Sequence, residues 1–299
     1  MGQRLAAIEN VASAGELLDN VRKHNRSAEA ELTAIYILRS SQPLTDLELY
    51  PSADAHTADF RIRNGNEDWT TVEVTSPNNS QEKERIHGIL RKLTEALSNQ
   101  KHQFALEVVF AREPSQSEIA VLCDRLQEFC VLDGPQQATL VGDLGYLFLN
   151  QTPVGRLVKH DPPGFEDQPM AGLMIVVGGG PDGKPLNQVS VRIPFADNRA
   201  EEILDYEARQ LPKKGRGLVM MEVGSANGGF DSWSQVFERR FSRKIHTRVS
   251  GVCLFEAGLV DTDSGYNWFP HRQLVINPWA QLSLPTWIHE AVILARKTV

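Results

Sequence analysis

Residues 59–75, Asp59-Phe60-Arg61-Ile62-Arg63-Asn64-Gly65-Asn66-Glu67-Asp68-Trp69-Thr70-Thr71-Val72-Glu73-Val74-Thr75, read as two strands and the loop between them. Phe60 and Ile62 alternate with Asp59, Arg61 and Arg63, and Val72 and Val74 alternate with Thr71, Glu73 and Thr75. A period of two is the strand signature. The polar run 64–68, with its Asn-Gly pair, marks a hairpin loop. With that loop, Arg63 faces Trp69, Arg61 faces Thr71 and Asp59 faces Glu73. Opposed residues of an antiparallel pair share a face, their Cβ atoms about 5 Å apart. One face is then apolar, and the other presents two carboxylates side by side.

Like charges across a ladder repel, so the pair needs compensation. A hard divalent cation such as Mg²⁺ or Mn²⁺, held by carboxylate oxygens, is one solution. It would bring the means to polarise a phosphoryl oxygen and stabilise the charge of an in-line displacement. Neutralisation by Arg61 or Arg63 on the same face is the plain alternative. Glu31 lies four residues before Ile35 and seven before Leu38, on the apolar side of a helix expected over 27–40 with Ser27 as its cap. An acid there needs a partner or a metal, unless it sits at the stripe's edge and reaches water.

Outward from this hairpin the chain keeps an α/β texture. Spacing predicts an amphipathic helix over 3–23, strand-like sequence at Leu47 and Leu49, and a long helix over 81–102 with Asn79 and Glu82 as a capping box. A buried strand at 104–110 follows, then a helix opened by a Ser115/Glu118 box. The second half alternates strands at 173–177, 189–193, 218–223, 249–255 and 273–276 with helices at 198–211, 232–241 and 286–296. No linker is evident, so the division is written as a core over 1–131 and an α/β extension over 132–299, within what can be one continuous domain.

A helix with Glu31, a strand with Asp59, then Val72-Glu73-Val74-Thr75 on the next strand resembles the restriction-endonuclease-like superfamily, known by its PD-(D/E)xK motif. The resemblance implies a core of helix, three-stranded meander, helix and strand, and residues 27–110 read in that order. The helix and strand at 198–223, with Glu207-Ala208-Arg209-Gln210, are an alternative source of the last two elements. It also implies a metal-dependent nuclease in which Asp59 and Glu73 hold Mg²⁺ or Mn²⁺, Glu31 is an outer ligand or positions water, and nucleic acid, DNA before RNA, is the partner. Thr75 stands where the family has a catalytic lysine, and Ala58 where it has a proline. Lys83, Arg85 and Arg61 are candidates for a relocated cation. Otherwise the site is silent and the domain only binds nucleic acid or a protein.

Composition bounds these readings. The net charge of −7 over 299 residues argues against a chain-wide footprint for nucleic acid or acidic membranes, leaving local basic stretches at Lys213-Lys214-Gly215-Arg216 and from Arg239 to Arg248. Three cysteines, Cys123, Cys130 and Cys253, without a CxxC, suit free thiols in a cytoplasmic protein. No leader or membrane-spanning run is apparent. His289-Glu290 lacks the second histidine of a zinc-protease helix, and Gly178-Gly179-Gly180 lacks the ending of a phosphate loop. The loop from Ser225 to Gly229 could approach a phosphate in an unrelated α/β enzyme with its site near Asn227 to Asp231, though a plain turn suits it better.

Overall fold

The computed structural model describes residues 2–40, 45–53, 56–77, 81–97, 104–129, 136–139, 144–150, 170–177, 187–195, 197–223, 229–262 and 265–293. In chain order the elements are α1 (Gly2–Ala6), α2 (Ala14–Arg22), α3 (Arg26–Arg39), β1 (Asp46–Leu49), β2 (Ser52–Ala53), β3 (His56–Thr57), β4 (Phe60–Arg63), β5 (Thr70–Thr75), α4 (Gln81–Ala96), β6 (Ala105–Phe110) and α5 (Gln116–Phe129). They continue with β7 (Gln136–Thr139), β8 (Gly145–Asn150), β9 (Met170–Val177), β10 (Asn187–Pro194), α6 (Asp197–Gln210), β11 (Arg216–Glu222), α7 (Gly229–Ser242), β12 (Val249–Thr262), β13 (Gly265–Ile276) and α8 (Thr286–Ile293). The protein is of the α/β class. The expected glycine runs at 178–180 and 225–228, the cap at Asn79 and Cys130 lie outside the described residues.

Two compact units emerge. One comprises Met1–Asn78, Ala196–Gly224 and Trp233–Val299, and the other Asn79–Phe195 with Ser225–Ser232. The division follows contact rather than position: residues on both sides of the expected boundary at 131/132 fall in the second unit.

The first unit carries a six-stranded sheet ordered β1-β4-β5-β11-β12-β13. The β4–β5 register is the one the hairpin loop dictates, with Phe60 opposite Val72, Arg61 opposite Thr71 and Ile62 opposite Thr70. Gly65 takes φ +57° in the loop, and the Glu67 N–H closes onto the Asn64 carbonyl at 3.2 Å. β5 then pairs in parallel with β11, across the helix α6. The sheet's meander is therefore completed by α6 and β11. The expected helix over 81–102 and strand over 104–110 do not take that place: α4 and β6 belong to the second unit, where the sheet runs β7-β8-β6-β10-β9. Both segment pairs have the same helix-then-strand texture, and only the long-range parallel pairing distinguishes them.

Alternation decides which helix covers which face. Phe60, Ile62, Val72, Leu218 and Met220 are buried in one cluster with Leu32, Ile35 and Leu38 of α3 and with Trp287 and Ile288 of α8. Residues of the other parity, Val219 and Met221, are buried on the face that α6 crosses with Leu204, Ala208 and Leu211. Burying Phe60 alone contributes roughly 2–3 kcal/mol.

Helix ends differ in detail from expectation. The helix expected over 3–23 is broken into α1 and α2, because Asn10 and Ser13 adopt left-handed φ of 66° and 67°. Asn25, not Ser27, caps α3: its side-chain oxygen accepts the Ser27 N–H at 3.0 Å. The Ser115/Glu118 box forms reciprocally, with the Ser115 N–H on Glu118 at 2.8 Å and the Glu118 N–H on Ser115 Oγ at 3.3 Å. Among the described residues no helix is long and apolar enough to cross a membrane.

Candidate functional site

The site lies where β4 and β5 run past the end of their ladder, all within the first unit. Tyr50 takes a left-handed φ of 53° and ends β1, while its N–H still bonds the Asp59 carbonyl at 2.9 Å. Asp59 thus sits one residue before β4, beside β5. Its carboxylate accepts the Val74 N–H at 2.6 Å. Glu73 lies beside it, and the nearby Asp59 N–H favours the ionised form of the Glu73 carboxyl. Of the two acids that the hairpin register places opposite one another, Asp59 is held by the strand that carries Glu73.

Two helices bring further acids. Glu31, on α3, accepts a hydrogen bond from the Tyr50 hydroxyl at 3.2 Å. Glu207, on α6, accepts the Gln210 amide at 2.9 Å, and the nearby Thr75 hydroxyl favours its ionised form. Glu73 and Glu207 are only 2% and 6% exposed. Glu73 Oε1 is buried without a hydrogen-bond partner.

Electrostatics follow from burial, with no basic side chain among the causes in the described residues. Burial, then the charges of Asp59 and Glu207, pushes the Glu73 carboxyl up to about 9 against the opposing Asp59 N–H. Burial and the Asp59 charge raise Glu31 to about 7. Burial raises Asp59 to about 6, although the Val74 N–H favours its ionised form. Glu207 rises to about 7, again chiefly through burial. Desolvation disfavours a carboxylate, and neighbouring carboxylates add to the cost.

Arg61 and Arg63 do not neutralise this cluster. Arg61 pairs with Glu48 at 2.6 Å and Arg63 with Asp46 at 2.8 Å, and both guanidinium groups lie over the Trp69 ring at about 4.5 Å. Arg85 lies on α4 in the second unit and pairs with Glu113 at 2.8 Å. Lys83's side chain lies outside the described residues. One residue of each basic stretch is engaged elsewhere. Arg216 donates to the Ser283 and Asp68 carbonyls, and Arg240 pairs with Glu201 and Asp205.

Of the residues the sequence singles out, the structure brings Glu31, Asp59 and Glu73 into one electrostatic cluster and sets Thr75 at its α6 side. Glu207 is the residue that sequence reasoning did not place in the site. The available signal was the one that drew attention to Glu31: Glu207 lies three residues after Leu204 and four before Leu211, both buried, so an acid stands on an apolar stripe.

Among the described residues, no three His, Cys, Asp or Glu side chains form a ready-made metal cage. Mg²⁺ does not require one, since it keeps several waters and is commonly held by one or two carboxylates together with substrate phosphate. Hard oxygen donors and an orphaned buried carboxylate oxygen fit such an ion.

No protein-family model, curated protein or solved structure matches the chain.

Proposed function

We propose that this chain is a metal-dependent phosphodiesterase acting on nucleic acid, with DNA the first substrate to test and RNA the second. The observation that carries the reading is the Asp59–Glu73 pair, with Asp59 tied to the β5 backbone, buried near Glu31 and with no basic side chain compensating it among the described residues. The resemblance to the restriction-endonuclease-like superfamily supports it, because the run α3, β1, β4, β5, α6, β11 has the order of helix, meander, helix and parallel strand that this superfamily implies.

In this reading Asp59 and Glu73 are the oxygen ligands for Mg²⁺ or Mn²⁺. When bound, the ion supplies counter-charge for the carboxylates and Lewis acidity toward a phosphoryl oxygen. Glu31, its Oε2 fixed by Tyr50, is placed to orient an attacking water. Thr75 occupies the lysine position without offering a positive charge, so the water is oriented by acids alone.

A second reading is a silent relative that binds nucleic acid or a partner protein. The uncharged Thr75, its hydroxyl near Glu207, favours it. Metal binding separates the two. The catalytic reading expects Mn²⁺-dependent cleavage that Asp59→Asn and Glu73→Gln each abolish; the silent one expects neither cleavage nor metal affinity.

A further inference from the structure

The lysines and arginines that the acid site does not use gather at one end of the first unit's sheet. The α6–β11, α7–β12 and β13–α8 connections meet there, where β11 and β12 begin and β13 ends. We infer that this end of the sheet docks single-stranded nucleic acid, its cations lying along the phosphates and the Trp279 ring against a base. The inference concerns binding alone and stands apart from the metal-dependent reading above.

Three observations carry it. First, hydrogen bonds tie the three connections into one surface. The Gln281 N–H donates to the Thr247 carbonyl at 2.8 Å, and Arg216 Nε to the Ser283 carbonyl at 3.1 Å. Ser250 Oγ accepts the Gly217 N–H at 3.2 Å and donates to the Leu282 carbonyl at 2.7 Å.

Second, the charge of these connections has one sign. Residues 211–216, 243–248 and 277–285 hold Lys213, Lys214, Arg216, Arg243, Lys244 and Arg248 and no Asp or Glu, in a chain whose net charge is −7. Lys214 and Arg243 are exposed, and among the described residues neither they nor Arg248 form an ion pair. Of the acids that reach this end, Asp205 is paired with Arg240 and His246, and Glu67 accepts the Trp287 Nε1–H at 3.0 Å. Asp68 stands 3.8 Å from Arg216, and Glu290 lines the same cleft, so Arg216 is the least positive corner. An acid-free basic end on an acidic protein attracts a polyanion locally.

Third, an aromatic ring stands among these cations. Trp279 is 45% exposed, and the Lys244 ammonium lies 4.0 Å from its ring centre. Cations for phosphates beside an open ring for a base is the pairing that single strands use, whereas duplex bases are already stacked. Ile276 and Leu282 are, like Trp279, more than half covered, which suits stacking on a surface rather than insertion among acyl chains.

Binding of short fluorescein-labelled single-stranded DNA and RNA to the full chain is followed by anisotropy in EDTA across a salt series, beside the corresponding duplex and vesicles of phosphatidylserine and phosphatidylcholine. The variants are the combined Lys214→Gln, Arg243→Gln and Arg248→Gln, the single Trp279→Leu, and a control that removes as much charge from exposed sites elsewhere, Lys23→Gln, Arg91→Gln and Arg125→Gln. Thermal melts establish that each is folded.

The wild type is expected to bind single strands more tightly than duplex. The basic triple variant should lower the slope of log K against log salt by about 2 and weaken binding at least 10-fold, as the loss of three phosphate contacts does. Trp279→Leu should weaken binding roughly 10-fold with the slope unchanged, and the control should do neither. Tighter binding of duplex, equal losses in the two triple variants, wild-type affinity in both the basic triple and Trp279→Leu, or a folded wild type that binds no oligonucleotide overturns the inference. Capture by phosphatidylserine vesicles without oligonucleotide binding overturns it as well and gives the surface to a membrane. Because no metal is present, none of these results bears on the Asp59–Glu73 reading, and an absence of Mn²⁺-dependent cleavage leaves this surface standing.

Discussion

The Asp59 carboxylate takes the backbone N–H of Val74, the residue after Glu73, at 2.6 Å. Asp59 therefore anchors the strand that carries Glu73. Substitutions here act on the backbone as well as on charge. Asp59→Ala leaves the Val74 N–H without its acceptor and is expected to cost about 1–3 kcal/mol. Asp59→Asn, which retains an acceptor oxygen, costs less. Urea unfolding of the metal-free variants checks the order.

Stability should fall with pH. A carboxyl raised in the folded state keeps its proton where the unfolded chain has released it. The contribution is full below the ordinary values, 3.8 for Asp59 and 4.5 for the glutamates, and is lost as pH rises through about 6 for Asp59, about 7 for Glu31 and Glu207, and about 9 for Glu73. The melting temperature of the metal-free protein is expected to drop by several degrees between about pH 5 and pH 9. Glu73→Gln should flatten that fall, and Mn²⁺ at pH 8 should offset it. A pH-independent melt would show that the acids are not buried together.

Arg61 should be irrelevant to the acids. Its guanidinium is committed to Glu48 and to the Trp69 ring. Arg61→Gln is expected to cost about 1 kcal/mol or less, as a half-exposed ion pair does, and to leave Mn²⁺ affinity unchanged. A rise in affinity on removing Arg61 would show that this cation does neutralise the cluster.

In the second unit, Gly145 begins β8 at φ +147°, and a Cβ there would stand 2.0 Å from the Val109 carbonyl oxygen. Gly145→Ala strains the backbone and drives it off β6. A loss of about 2 kcal/mol or more is expected in denaturant unfolding.

The hairpin was legible because its signals are local. Alternation places Phe60, Ile62 and Val72 on one face, and the Asn-Gly loop sets the register that Arg61 and Thr71 obey. Glu31 was legible from its place on the α3 stripe. The completion of the sheet was not, since α4 with β6 and α6 with β11 offer the same helix-then-strand pattern. The choice between them lies in the parallel pairing of Met220 with Val74 and its neighbours, across a separation that no local period records. Glu207 went unplaced for the same reason: its stripe is readable, but the strand it faces is not. The break between α1 and α2 depends on left-handed turns at Asn10 and Ser13, which the apolar spacing of Leu5, Ile8 and Val11 masks.

The most direct test of the central claim is Mn²⁺-dependent cleavage of end-labelled single-stranded DNA, double-stranded DNA and RNA by the full chain, with Asp59→Asn and Glu73→Gln assayed beside it. The account predicts cleavage of at least one substrate, lost on chelation and lost in each variant although both remain folded. No cleavage of any substrate by a folded wild type, or cleavage that survives both substitutions, would contradict it.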